Sequence, residues 1–334
     1  AGSMTEADRR STDFTPDFTL AHLSDVHLSP LPPIGARHWN LKRLLGWLNW
    51  QRRRRHLYSR DVIGRSVADI GEQAPDHIAV TGALANLGRP AEHEGALAWL
   101  RTLGDAERVT VIPGNHDIYS HIGADHGTGR WHPHMSPNTA AADYAIAEAQ
   151  SAGMSGDAAF PFVRRFGRLA IIALNSAVPT RPFYAIGRIG KAQLDRLARI
   201  LDRLGAEGLM RVVLIHHPPL PGLAKARHDL QDADALAEVL ARHGAELVLH
   251  GHEHISSEHW HPAPSGHIPI IGVPSASLAR PYKKEPPARY HLYRVALDTN
   301  RPSIELIARG LAEPGGPIIE LERRLIVPAS ANSQ

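Results

Sequence analysis

An α/β fold on a mixed sheet core is what this sequence predicts, and three observations predict it. Short apolar runs at 18–23, 77–81, 108–112, 169–174, 211–215 and 247–249 read as strands buried on both faces. Amphipathic windows fill the gaps, most clearly 60–70, 92–103, 191–204 and 233–242, with Gly104 and Gly244 placed to cap helix C-termini. Toward the end, 267–273, 290–297 and 304–308 alternate apolar and polar residues in the manner of antiparallel strands.

With 334 residues and 43% hydrophobic content, the chain can bury a large core without covalent staples. It contains no cysteine. That excludes a disulfide framework and any thiolate metal site, so a bound metal must rest on imidazole, carboxylate and amide ligands. The N-terminus is polar, and no apolar run approaches the roughly 18 residues of a membrane span, which points to a soluble, cytoplasmic protein. Ala1-Gly2-Ser3 ahead of Met4 reads as the remnant of a purification tag. The stretches 1–16 and 120–138 and the tail 328–334 are expected to be the least ordered, leaving 17–327 as a single domain.

The net charge of +3 conceals one basic segment. Residues 37–65 hold nine arginines and lysines against the single acid Asp61, a balance of +8 that leaves −5 for the remainder.

Four short segments carry the chemistry: Asp25-Val26-His27, Gly114-Asn115-His116-Asp117, His216-His217-Pro218 and His250-Gly251-His252-Glu253-His254. Alone, each has an ordinary reading. An Asp-x-His triplet is common, and Gly-Asn-His-Asp suits a turn stabilised by side-chain to backbone bonds. Placement is the stronger signal, because each segment falls just past the carboxyl end of a predicted strand, where ligands of open α/β sheets gather. The stretch 81–86 ends a fifth strand in the same way. Imidazole suits zinc, iron and manganese, and carboxylate and amide oxygens add harder donors.

In these residues the chain resembles the calcineurin-like metallophosphoesterases, whose pattern is D-x-H, G-D, G-N-H-D or E, a later H, and G-H-x-H. The resemblance spans residues 20–255. It implies two mixed sheets packed as a sandwich flanked by helices, here with a helical insertion at about 37–60 after the first strand. It also implies two divalent metals, Mn, Fe or Zn: the first on Asp25, His27 and His254, the second on Asn115, His216 and His252. By the same resemblance His116 is the acid beside the scissile phosphate, and Asp117 is placed to orient that imidazole or to cap the turn. The implied reaction is hydrolysis of a phosphoester or pyrophosphate by water activated between the metals. One part of the pattern is missing. Where the G-D of the family places a bridging aspartate, the chain reads Gly82-Ala83. Alanine binds no metal: an engineered replacement fits the intact partner residues best, a naturally degraded site or a natural mononuclear variant are the alternatives, and function is inferred for a parent with aspartate there.

The insertion is the clue to substrate. Between Trp39 and Tyr58, Leu41, Leu44, Leu45 and Leu48 share a helical face with Trp47 and Trp50 beside it, followed by Arg52, Arg53, Arg54 and Arg55. A cationic, tryptophan-rich amphipathic helix suits an anionic membrane surface. The alternative is a helix packed on the core with a solvated arginine face. In design the insertion resembles that of the lipid-processing members of the superfamily, including UDP-2,3-diacylglucosamine hydrolases, and implies peripheral contact at the inner membrane face. Two other readings stay open: a soluble cyclic-nucleotide or glycerophosphodiester phosphodiesterase, and a non-catalytic scaffold. A nucleic-acid partner is not expected, since one compact patch offers little backbone-tracking surface.

Overall fold

The computed structural model describes residues 14–120, 127–144, 160–297 and 302–327. The expected loose ends at 1–13 and 328–334 lie outside the described residues. Twelve strands among the described residues form two six-stranded sheets. The first comprises β1 (Phe18–Leu23), β2 (His77–Val80), β3 (Val109–Val111), β10 (Arg289–Ala296), β11 (Ser303–Leu311) and β12 (Ile318–Leu325), in the order β12-β11-β10-β1-β2-β3. The second comprises β4 (Phe162–Phe166), β5 (Leu169–Ala173), β6 (Met210–Leu214), β7 (Leu247–His250), β8 (Ser257–Ala263) and β9 (Gly266–Gly272), in the order β4-β5-β6-β7-β9-β8. β1, β2 and β3 run parallel, as do β5, β6, β7 and β9. The expectation of antiparallel pairing at 267–273 holds only on the β8 side, because β9 is parallel to β7.

Successive side chains of a strand point to opposite faces, and the central strands are apolar on both. Val212, Leu214, Leu247 and Leu249 join the core shared with β1, β2 and β3, whereas Val213, Ile215 and Val248 pack under helices. Those helices are α4 (Lys191–Ala206) and α5 (Ala233–His243), which bring Leu197, Leu201, Leu204, Leu236 and Leu240. On the other side, α2 (Arg60–Gln73) and α3 (Pro90–Leu103) add Ile63, Ile70, Ala96 and Leu100 to the shared core. Gly104 and Gly244 occupy the C-caps of α3 and α5 with φ of 153° and 76°.

One expectation is corrected here. Residues 127–138 are not loosely held: Gly127–Met135 forms a 3-10 helix with Trp131 fully buried, its indole N–H donating to the His93 carbonyl at 3.0 Å. The buried Arg164 donates to the carbonyls of Ser136 and Pro133, each at 2.9 Å, pinning the segment onto β4.

Helix α1 (Leu41–Arg52) forms the insertion, capped by the Asn40 side chain, which accepts the Arg43 N–H at 2.8 Å. Its orientation departs from the leucine periodicity. Lys42 and Arg43 are buried, and Leu41 and Leu44 are exposed at 67% and 42%. The reason lies beneath the helix, where buried carbonyls need donors. Lys42 Nζ donates to Tyr119 O and to the Thr180 hydroxyl, both at 2.7 Å, while Arg43 donates to Leu87 O at 3.2 Å and Gly88 O at 2.9 Å.

Burial also fixes a pH dependence. His77 Nε2 lies 2.8 Å from the Thr110 hydroxyl and His291 Nδ1 3.2 Å from the Tyr293 hydroxyl, and burial pushes each imidazole down to about 3. Both are neutral when folded and take up protons only on unfolding, so their contribution is full above about pH 6.5 and falls toward pH 3. Denaturant titrations at pH 7, 6 and 5 should show stability dropping by up to about 1.4 kcal/mol per pH unit for each histidine, and His77→Gln should flatten the slope.

Candidate metal centre

The side chains of the centre all follow strand ends: Asp25 and His27 after β1, Asn115 and His116 after β3, His216 after β6, His252 and His254 after β7. Asp25, His27, Ala83, His252 and His254 have positive φ, 53°, 42°, 56°, 73° and 57°. A residue with a Cβ is disfavoured in that region by roughly 1–2 kcal/mol, and Asp, Asn and His enter it most readily. Ala83 alone of the five lacks a polar side chain.

These turns gather two groups of donors. In the first, His254 Nε2 stands 3.1 Å from Asp25 Oδ1 and 3.3 Å from His27 Nε2, and His27 Nε2 is 3.8 Å from Asp25 Oδ1. In the second, His216 Nε2 is 2.9 Å from Asn115 Oδ1 and 3.2 Å from His252 Nδ1. Ligands at metal distances of about 2.0–2.2 Å are separated from one another by about 3–3.5 Å, so both groups have the dimensions of a coordination shell. Asp25 joins them, since its Oδ2 accepts the His252 backbone N–H at 2.8 Å.

The tautomers are set from outside. Carbonyls and carboxylates only accept, so an imidazole nitrogen against one must carry the proton. His27 Nδ1 faces Ala85 O at 3.3 Å, His216 Nδ1 faces Thr81 O at 2.6 Å, His252 Nε2 faces His228 O at 3.0 Å, and His254 Nδ1 faces Glu285 Oε2 at 2.9 Å. For His27, His216 and His252 the opposite nitrogen, with its lone pair, is the one turned into the centre, whereas the opposite nitrogen of His254 faces the Asp25 carboxylate at 3.1 Å and carries a proton as well. Burial pushes His27, His216 and His252 down, favouring the neutral, ligating form. Against burial, Asp25 is held well below the usual carboxylate range by His254, His216 and His252. His254 is the exception: despite burial, Tyr58, Asp25 and Glu285 push it well up.

Ala83 lies at the seam of the two groups. Its carbonyl accepts the His27 N–H and that of Gly82 accepts the Asp25 N–H, both at 2.9 Å. A Cβ on Gly114 would come within 2.3 Å of the Ala83 nitrogen, so the loops carrying Ala83 and Asn115 are in direct contact.

The geometry decides between the two roles open to Asp117. Asp117 does not touch the His116 imidazole; its carboxylate accepts the N–H groups of Ala83, Leu84, Ala85 and Gly114 at 2.7–2.9 Å. His116 is oriented instead by the Asn86 carbonyl, 2.7 Å from its Nδ1. The insertion residues also part company. Trp50 is buried, Trp47 is half-buried against Trp39 with ring centres 5.8 Å apart, and Arg52, Arg53 and Arg55 are exposed. Arg54 turns inward, its Nη1 3.2 Å from His116 Nε2. Glu285 was not anticipated from sequence. It closes a small hairpin with Tyr282, and no spacing links it to His254, 31 residues earlier.

Comparison with known proteins agrees with this architecture. The family model described as calcineurin-like phosphoesterase matches residues 18–256, and the chain belongs to that family, hydrolases of phosphoric esters. A cAMP/cGMP dual specificity phosphodiesterase from Mycobacterium tuberculosis is 28% identical over 249 residues, 72% of this chain and 63% of that protein. A protein named "Probable cyclic nucleotide phosphodiesterase" from Synechococcus is 30% identical over 189 residues, 56% of this chain and 60% of that protein. The chain thus spans about three-fifths of the length of these relatives. In fold it is similar to a dimetal phosphatase from Danio rerio, with TM-score 0.55, 13% identity and coverage of 92% and 99% of the two chains. A purple acid phosphatase from yellow lupin seeds gives TM-score 0.54 at 11% identity, covering 92% of this chain and 53% of that one.

Titration of the chain with manganese should resolve two affinities, the Asp25 group binding more tightly because the Asn115 group offers only neutral ligands. The tighter step should release a proton from His254 and weaken as pH falls. Glu285→Ala should lower that affinity roughly 10–100-fold and Glu285→Gln, which keeps an acceptor, much less. Burial pushes the Asp117 carboxyl up to about 7 against its four N–H donors, so in chemical denaturation at about pH 8, where it is ionised, Asp117→Asn should cost about 3 kcal/mol or more by weakening bonds to four backbone N–H groups together.

Proposed function

We propose that the parent of this chain is a two-metal phosphodiesterase for compact, water-soluble diesters, cyclic nucleotides foremost, and that Ala83 occupies the place of its bridging aspartate. Asp25, His27 and His254 hold the first ion and Asn115, His216 and His252 the second, with Mn, Fe and Zn all suited to the donors. Bound ions supply Lewis acidity to a phosphoryl oxygen and make hydroxide available at neutral pH. The chain's own residues orient the diester: Asn86 fixes the His116 ring so that Nε2 faces the leaving oxygen, and the Asp117 clasp keeps the Ala83 and Asn115 loops in contact. The positive φ at Ala83 supports an aspartate in the parent, since that backbone conformation suits aspartate better than alanine.

One observation carries the choice of substrate. The part of the insertion that roofs the centre is Arg54 and Tyr58, a cation and a phenol, while Leu41 and Leu44 of α1 are exposed to solvent. That roof suits a small anionic diester better than an acyl chain. The names of both curated relatives support the same reading.

A second reading, an amphiphilic substrate such as UDP-2,3-diacylglucosamine met at an anionic membrane surface, is favoured by a different feature. Trp39, Leu41, Leu44 and Phe183 are 40%, 67%, 42% and 73% exposed. Lys42 ties α1 to Thr180, whose hydroxyl donates to the Tyr184 carbonyl, so the Phe183 loop is held beside the helix. Arg52, Arg53 and Arg55 are exposed at the C-terminal end of α1 and just beyond it. No helix among the described residues is long and apolar enough to cross a membrane.

Assay of the Ala83→Asp protein with manganese decides between these readings. It should hydrolyse bis-(p-nitrophenyl) phosphate and cyclic AMP at least about a hundredfold faster than the chain with Ala83 and prefer both to p-nitrophenyl phosphate. Turnover restricted to an acylated substrate, accompanied by binding to anionic liposomes, would establish the second reading. Inactivity on every ester would leave a non-catalytic scaffold.

A further inference from the structure

Of four consecutive arginines in the insertion, one is set apart. Arg54 is half-buried, with Nη1 3.2 Å from His116 Nε2 and its guanidinium 5.0 Å from the centre of the Tyr58 ring. Among the described residues no carboxylate pairs with it. The inner side of the insertion therefore presents an uncompensated, permanently charged fork toward the metal centre.

The position is built rather than incidental. Tyr58 and Leu57 donate their backbone N–H groups to the Arg54 carbonyl at 3.1 and 2.9 Å, closing the turn that carries the arginine. That turn is anchored to the segment after β9: the Ser59 N–H donates to Ser277 O at 3.0 Å and the Ala279 N–H to Leu57 O at 2.7 Å. The same segment supports the first donor group, because the Ser275 hydroxyl donates to the Asp25 carbonyl at 2.7 Å. Arg54 and Asp25 thus share one support. The rings of His116 and Tyr58 lie 4.9 and 4.7 Å from that of His27, which puts the atoms Arg54 approaches directly beside that group.

We propose that Arg54 contacts substrate, donating from its guanidinium to a non-bridging oxygen of the phosphoryl group bound at the centre, on the side of His116. The assignment deepens the two-metal reading and rests on it. Guanidinium is suited to the task because it stays charged, matches two oxygens at once and is more weakly hydrated than an ammonium group. It also gives the insertion a task in the reaction itself, separate from any contact its outer face makes.

Inorganic phosphate is the probe, titrated calorimetrically into the manganese-loaded chain as it stands. Arg54→Gln should weaken phosphate binding by about tenfold or more, and Arg54→Lys should fall between, since it keeps the charge and loses the fork. Manganese affinity should be unchanged in both, which also shows that the variants are folded. Arg53→Gln, on the exposed side, should change phosphate affinity by less than about twofold. Equal phosphate affinity for the unsubstituted chain and Arg54→Gln would overturn the contact. An unsubstituted chain that binds manganese but not phosphate would overturn it too and leave the metal centre standing, whereas one that binds no manganese would overturn the two-metal reading and the contact with it.

Discussion

A single buried carboxylate, Asp117, stands in for water at four backbone N–H groups, those of Ala83, Leu84, Ala85 and Gly114, and the candidate metal centre is arranged around that substitution. Loops that leave parallel strands need partners for their amides, and a buried amide without one costs about 1–3 kcal/mol. Solving this with one residue draws the loops after β2 and β3 into contact. Their carbonyls then serve the neighbouring loops: Gly82 and Ala83 accept from Asp25 and His27, and Thr81 accepts from His216. Glu92 repeats the device one turn further on, accepting the N–H groups of Asn86, Leu87 and Arg89. Geometry at the centre is thus inherited from backbone satisfaction, and the ligand side chains take their rotamers within it.

The fold was legible where strands are buried on both faces. Every run read as a strand buried on both faces is a strand, to within a residue or two at its ends, because continuous Val, Ile and Leu leave little ambiguity once bounded by turns. The strands that escaped notice, β4, β8 and β12, all lie at sheet edges. Their sequences, FVRRF, SEHWHPA and IIELERRL, carry charge and imidazole among the apolar residues. Edges are kept polar to discourage further pairing, and that same polarity erases the pattern a sequence reader relies on.

At the centre, residue type and strand-end position brought seven of the relevant side chains into view, since short polar motifs at such places have few other purposes. What stayed hidden depends on contacts between distant segments. Glu285 reaches His254 from a hairpin, and Asn86 holds His116 through a main-chain carbonyl that no side-chain pattern reports. Helix α1 misled for a related reason. Its leucines form a proper stripe, yet the carbonyls of Leu87, Gly88 and Tyr119 beneath it lack other donors, and two cations satisfy them more effectively than a hydrocarbon face. The demand of the surface below overrode the periodicity of the helix above.

The division of labour between the two sheets has a mechanical consequence. Asp25, His27 and Asn115 stem from the first sheet, and His216, His252 and His254 from the second, so each donor group draws on both. An ion bound there would act as a rivet through the seam of the sandwich, and two ions would resist both sliding and splaying of the layers. Strand separation near the rivets would have to wait for metal release, and backbone amides at the ends of β1, β6 and β7 would exchange with solvent on the timescale of ion departure. The far ends of the same strands would be free to breathe on their own schedule, giving one fold two unequal tempos along its length.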